Sequence, residues 1–421
     1  MNILKLIFFA IRSYGASVTF LLMDPVMLII PIVVFSRYKN IERAQNDIYG
    51  SHVRYSLGNL VSTSILSGIL AGLFCAILTT TLGITFQSSN GIFFVILLSL
   101  ILMLINSRYI CLSYSGGILS VIILVISSLI ERGLISEGSR FEHFFSEYVY
   151  FDVTSLMAVI AIFHIVEAIL MWFDGHRGAI PVFMKHKGEV VGAFIMQRFW
   201  VIPVLLCVLY SGPSIPGETL PTPDWWPLIK PDGLEAIAKD AIFTTFTVLA
   251  ILGYGDFAIT MPVRKKVKRS ALGLLQFSIL LLIFAFLSEK YYVFKYIAAI
   301  FSPLGHETLI LLERFREKKG NALFRYSDEG IIVLDTIPEK AAEKMGISSG
   351  DMILEINNTR VKSIEDIDEI LSFSPSFVWI KVKDSSGNEK VLEYKDYENG
   401  VRALGFLTVP KNDFGIQVVE P

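Results

Sequence analysis

The 421-residue sequence predicts two units in series, a polytopic α-helical membrane domain and a small α+β domain after it. Three observations predict this. Hydrophobic residues make up 53% of the chain and charged residues 18%, where a soluble globular protein holds about 45–50% and roughly 25%. Charge is unevenly spread: 20 acidic and 15 basic residues fall among the 109 from Glu313 onward, against 19 and 22 in the first 312. Apolar runs of membrane-crossing length recur in the first part and give way to short strand and turn patterns in the second. Neither part is basic enough for nucleic acid to be a main partner, and the composition excludes a soluble enzyme.

Lys5 and the apolar stretch 6–11 suggest the start of a secretory signal, but Arg12 and Tyr14 stand where small cleavage-site residues are needed. Residues 1–15 are therefore expected to be a retained amphipathic segment at the interface. Residues 16–312 form the multi-span domain, because a span needs about 20 mostly apolar residues and only a helix satisfies its own backbone in lipid. Candidate spans lie at 16–35, 60–86, 92–105, 110–130, 153–173, 199–211, 236–259, 271–287 and 292–304, which gives seven to nine helices. Asp24 before Pro25 interrupts the first, and a turn or interface position explains it better than transport.

Lys and Arg in short loops resist translocation and so report orientation. Arg37, Lys39, Arg43 and Arg54 follow the first span; Arg108, then Arg177, Lys185, Lys187 and Arg198, then Arg264, Lys265, Lys266, Lys268 and Arg269 occupy later loops of the same parity. These loops are expected in the cytoplasm. The alternate loops 131–152, rich in Glu, and 212–235, with Trp225 and Trp226, are expected outside. If 292–304 crosses, the polar tail is cytoplasmic; if it is re-entrant, the tail lies outside. The basic run 263–269 fits a positive-inside anchor, with contact to anionic lipid as the alternative.

Past about Asn321 the pattern changes. Residues 330–337 read as a strand, 338–345 as a short helix stopped by Gly346, and 352–357 as a second strand ending in a turn at Asn357-Asn358. Ser363 caps a helix with Asp366 three residues on, and Ile364, Ile367, Ile370 and Leu371 give it an apolar face. Residues 377–383 and 389–394 make a hairpin around Ser386-Gly387-Asn388. Residues 411–421 are a short C-terminal tail.

The order Gly330-Ile331-Ile332-Val333-Leu334, Ile337-Pro338, Ala341-Ala342, Gly346-Ile347, Gly350-Asp351, Ile353, Ile356-Asn357 resembles the central motif of a PDZ domain over roughly 40 residues. The ligand loop, which precedes this motif in eukaryotic PDZ domains, follows it here as Arg402-Ala403-Leu404-Gly405-Phe406. The resemblance implies a circularly permuted PDZ-like domain at 320–410. Leu404, Gly405 and Phe406 would present N–H groups to a peptide carboxylate, with Arg402 as the nearby base, and 406–409 would offer an edge for strand addition. By the same comparison Ile364, Ile367 and Asp368 belong to the helix side of the groove. Ala403 departs from the family's first glycine.

A PDZ module on a multi-span region raises intramembrane proteolysis. The metal-dependent form needs His-Glu-x-x-His, and after His306-Glu307 the second histidine position holds Ile310. Tyr114-Ser115-Gly116 superficially resembles a rhomboid-like serine motif without its preceding glycine, and small residues there fit tight helix packing. A transporter should show repeated halves and broken polar helices, and no repeat is visible. His164 and Glu167 share one helix face within the fifth span, which suits a polar clamp; His306 and Glu307 could complete a larger set only if their segment packs against that span. Cys75, Cys111 and Cys207 lie in apolar runs with no CxxC, which gives neither a disulfide framework nor a zinc site. No catalytic residue, metal or cofactor is expected.

The layout as a whole resembles the MinJ family of multi-span PDZ proteins, division-site determinants of Gram-positive bacteria. It rests on Met23-Asp24-Pro25-Val26-Met27, Ser36-Arg37-Tyr38-Lys39, Arg108-Tyr109-Ile110 with Ser113 to Gly117, His164-Ile165-Val166-Glu167-Ala168, Pro303-Leu304-Gly305-His306-Glu307 and the tail motif, in that order. The resemblance implies a non-enzymatic scaffold in the bacterial cell membrane. Its cytoplasmic PDZ groove would recruit partners such as the curvature-sensing coiled-coil protein DivIVA and the membrane-associated ATPase MinD.

Overall fold

The computed structural model describes residues 3–21, 29–87, 91–210, 222–223, 225–230, 242–411 and 418–419. Helix α1 (Ile3–Leu21) buries Leu6, Ala10 and Tyr14, a four-residue spacing that makes one helical face. Through it Tyr14 donates to the Ile69 carbonyl at 2.8 Å on α3 (Leu57–Leu82). The expected span 16–35 begins within α1, which runs through residue 16 to Leu21, and ends within α2 (Ile29–Tyr49), which turns polar after Ser36; 22–28 lie outside the described residues. Asp24-Pro25 lies outside the described residues.

The larger correction concerns 199–211 and 236–259, which were expected as helical spans. Residues 199–210 and 242–258 of these belong instead to a long antiparallel pair of β3 (Glu189–Tyr210) and β4 (Ile242–Ala258), in register from Phe194↔Ala258 to Tyr210↔Ile242, while 211 and 236–241 lie outside the described residues. Val201, Ile202, Val204, Thr244, Thr245, Thr247 and Val248 are β-branched, and Pro203 would cost about 3 kcal/mol inside a helix. Apolar residues line both faces, so no period-two alternation marks the strands. β1 (Thr85–Gln87) and β2 (Ile180–His186) also pair with β3, at its two ends.

Between those ends the β3 edge is met by α3. Ser64 donates to the Phe199 carbonyl at 2.7 Å and Thr79 to that of Leu205 at 3.3 Å. Between them Gly68 and Gly72 come so close that a Cβ would lie 1.9 Å from the Val201 carbonyl and 2.2 Å from the Pro203 carbonyl. Four helical residues rise about 6 Å and two strand residues about 6.6 Å, so 64, 68 and 72 track carbonyls 199, 201 and 203. An open strand edge is not tolerated against lipid; here a helix covers it.

Among the described residues four helical segments are long and apolar enough to cross a membrane: Leu57–Leu82, Leu112–Glu131, Arg140–Asp174 and Val263–Ser288, with Gly91–Ile105 shorter. They correspond to α3, α5 (Leu112–Glu131), the run containing α6 (Arg140–Phe144) and α7 (Val153–Asp174), and α8 (Val263–Ser288), while α4 is Gly91–Ile105. α7 is buried along most of its length and packs on α8. After a tight turn α9 (Val293–Lys319) runs back along α8, pairing Lys266 with Glu313 at 2.7 Å and stacking Phe277 on Phe301 at 5.3 Å. Gly117 of α5 leaves room for Pro303, since a Cβ there would lie 2.3 Å from its ring. Arg198 and Lys266, expected as loop anchors, are 0% exposed: Arg198 pairs with Asp174 at 2.7 Å, and Lys266 with Asp256 at 3.1 Å besides Glu313.

α9 delivers the chain to the end of the bundle where α8 begins. Glu317 accepts from the N–H groups of Ile259 and Thr260, and Leu323 donates to the Ile259 carbonyl. Beyond it a sheet forms in the order β10 (Phe406–Thr408), β5 (Ile331–Thr336), β6 (Met352–Ile356), β8 (Phe377–Lys383), β9 (Glu389–Lys395), with β7 (Thr359–Arg360) beside β6. The helices are α10 (Ala341–Lys344) and α11 (Ile364–Leu371). Val333, Ala342, Ile353, Ile367, Leu371, Ile380 and Leu404 share its core. The strand carrying Phe406 comes last in this sheet's sequence yet lies antiparallel beside the first, Phe406 opposite Thr336, as a permuted order requires. β11 (Val418–Val419) pairs with β2.

Candidate functional site

The groove expected from the sequence would lie between α11 and β10, two elements that pack on one core. α11 starts on a full capping box: the Ser363 hydroxyl accepts from the Asp366 N–H, and the Asp366 carboxylate accepts from the Lys362 and Ser363 N–H groups at 2.7 and 3.0 Å. Those backbone donors hold the Asp366 carboxyl below the usual carboxylate range. Ile367 and Leu371 lock the helix to the core, while Ile364 is 37% exposed and Asp368 is exposed. Phe406 packs on the same core from the other side.

The loop before β10 is held from within. The Ala342 N–H donates to the Leu404 carbonyl at 2.8 Å and the Ile337 N–H to the Gly405 carbonyl at 2.9 Å. With both carbonyls turned to the core, the N–H groups of Leu404 and Gly405 have no acceptor among the described residues. Gly405 adopts φ +76° and sits against the Lys340 side chain, where a Cβ would come within 2.4 Å, so glycine is required. Leu404 is 2% exposed and Arg402 is exposed. β10 stands at the end of the sheet order, its outer edge unpaired among the described residues.

The rim is tied to the helical unit. Tyr49 donates to Asp335 at 2.6 Å, and Arg54 reaches both Asp335 at 3.2 Å and the Thr336 carbonyl at 2.8 Å. Burial pushes the Asp335 carboxyl above its ordinary value, and Arg54 and Tyr49 offset only part of that.

A second polar constellation lies within the helical unit. His306 does pack against the fifth span: its ring centroid is 5.2 Å from that of His164. Glu307 turns away, accepting from Tyr114 at 2.6 Å and pairing with Arg108 at 2.9 Å. Glu167, half-buried, shares α7 with His164. What sequence reasoning missed is Cys111, whose Sγ is 3.2 Å from His164 Nε2 and 3.8 Å from His306 Nε2, and Ser113, whose Oγ is 3.3 Å from His164 Nε2. Its partners lie 53 and 195 residues away, and no short motif marks such a meeting.

Residues 314–376 match the family model for the PDZ domain. The C-terminal module is a PDZ domain. The match begins in the last turns of α9 and ends just before β8. The chain is also 22% identical over 247 residues to the cell division topological determinant MinJ of Bacillus subtilis (strain 168), covering 58% of this chain and 59% of that protein. It is 20% identical over 85 residues to probable cell division topological determinants MinJ of Lacticaseibacillus paracasei and Lacticaseibacillus casei (strain BD-II), covering 20% of this chain and 23% of each. The chain thus spans less than two thirds of the length of the relatives it matches.

Proposed function

We propose that this protein is a non-enzymatic, multi-pass membrane scaffold whose PDZ groove recruits cytoplasmic proteins during division-site selection. The observation that carries the reading is the edge of β10, unpaired among the described residues, together with two N–H groups, of Leu404 and Gly405, that lack acceptors there, on a core shared with α11, where Ile364 is exposed. A peptide added along that edge supplies carbonyls to β10, while its terminal or side-chain carboxylate meets the free N–H pair and Arg402. Asp368 at the helix rim favours a basic or polar ligand side chain there, and Ile364 an apolar one.

The placement of charge supports a cytoplasmic groove. The PDZ domain meets Tyr49 and Arg54, the tail strand β11 pairs with β2 beside Lys185, and Leu323 donates to the Ile259 carbonyl just ahead of the basic run 263–269; the positive-inside rule assigns all three stretches to the cytoplasm. The name shared by the similar proteins supports division as the process. Proteins resembling DivIVA and MinD are the partners proposed, with lipid around the apolar helices and no nucleic acid. Fluorescent fusions with and without residues 320–421 test the reading. Enrichment at septa and poles is expected only for the full chain, and a uniform membrane signal from both overturns it.

A further inference from the structure

We propose that Cys111, His164 and His306 bind one divalent metal ion of the zinc class, clamping the starts and middles of three helices. The three candidate ligand atoms all lie within 4.8 Å of one another. A four-coordinate ion with Zn–S of about 2.3 Å and Zn–N of about 2.0–2.1 Å sets its sulfur and nitrogen ligands roughly 3.5 Å apart. The two Sγ to Nε2 distances, 3.2 and 3.8 Å, bracket that value.

The outer hydrogen bonds point to the same conclusion. His164 Nδ1 lies 2.7 Å from the Ile160 carbonyl, an acceptor only, so Nδ1 carries the proton and Nε2 presents its lone pair to the thiol. His306 Nδ1 lies 3.3 Å from the Tyr114 hydroxyl, whose own proton is given to Glu307. The phenol oxygen is therefore free to accept from Nδ1–H, and His306 Nε2 also turns a lone pair inward. Both imidazoles are fixed in the tautomer a metal requires, one by a backbone carbonyl and one by a Tyr114–Glu307–Arg108 chain. Without an ion, two lone pairs compete for the Cys111 and Ser113 protons, and the longer contact, 3.8 Å, serves His306 poorly.

Chemistry selects the ion. One thiolate and two imidazoles suit zinc and exclude calcium or magnesium, which take oxygen ligands. Binding releases the thiol proton to solvent, both histidines stay neutral, and the fourth position goes to water. Cys111 sits at the N-terminal cap of α5 and is only partly buried, so an ion can reach it.

The full chain, purified in detergent with any affinity tag removed, is incubated with zinc, desalted and measured for metal content. One equivalent per chain is expected, together with protection of Cys111 from alkylation that a chelator reverses. Substitution with cobalt(II) should give a near-ultraviolet thiolate-to-cobalt band that Cys111→Ser abolishes. Tyr114→Phe, which leaves all three ligands in place, should lower affinity about 10–100-fold. Ser113→Ala should keep the stoichiometry. A wild-type chain that binds no stoichiometric metal and shows no protection has a hydrogen-bonded thiol only, which overturns the proposal without needing any variant to fold. An unchanged cobalt spectrum in folded Cys111→Ser overturns it equally.

Discussion

Leu404 and Ile364 carry opposite duties in the proposed peptide site. Leu404 is buried in the PDZ core, so Leu404→Ala should destabilise the domain by about 2–5 kcal/mol, read as a lower unfolding midpoint. Ile364 is partly exposed on α11, and Ile364→Ala should weaken peptide binding in calorimetry while leaving the midpoint nearly unchanged; equal binding would remove the groove from the mechanism. Asp335 supplies a pH test. Its carboxyl is raised by burial, so the stability it contributes is complete below the unfolded value of about 3.9 and is lost as pH rises through the higher folded value. Asp335→Asn should therefore match or exceed the wild-type unfolding midpoint at pH 7 and lose that advantage below about pH 4. The PDZ residues were legible because their motif is local, with strand, helix and glycines at fixed offsets. Cys111 was not, because its meaning depends on two histidines brought in from distant helices.

Among the elements, the apolar parts of α8 and α9 were readable as the runs 271–287 and 292–304, but the basic start of α8 was taken for a loop and the polar end of α9 was not read, and the paired strands β3 and β4 were mistaken for spans. Hydropathy measures apolar content, and a strand coated on both sides has as much of it as a helix. Pro203 and the β-branched clusters were the available signals. The contact between α3 and β3 makes a paired prediction. Gly68→Val forces a side chain into the Val201 carbonyl and should sharply reduce the folded yield and thermal stability of the detergent-solubilised chain. Gly58 lies on the same helix with nothing within 4 Å of its would-be Cβ, so Gly58→Ala should be neutral or stabilising by about 0.5–1 kcal/mol. Similar losses from both would mean that helix propensity, and not the close approach, governs α3.

For the molecule as a whole, the sequence left the side of the tail open, because everything turned on 292–304. The return of α9 to the beginning of α8 puts the PDZ domain at the end of the bundle that carries the basic run 263–269, which is the arrangement the proposed cytoplasmic orientation requires. Protease added to sealed right-side-out vesicles should spare the PDZ domain and in inverted vesicles should release it; the reverse pattern would refute this orientation. One consequence concerns biosynthesis. α3 leaves the ribosome more than 100 residues before most of β3, so its hydroxyls and glycines exist long before the carbonyls they will cover. Any entry of these strands into lipid would need that earlier helix already in place, because an uncovered strand edge is not tolerated there, so the order of synthesis matches the order that such an entry requires.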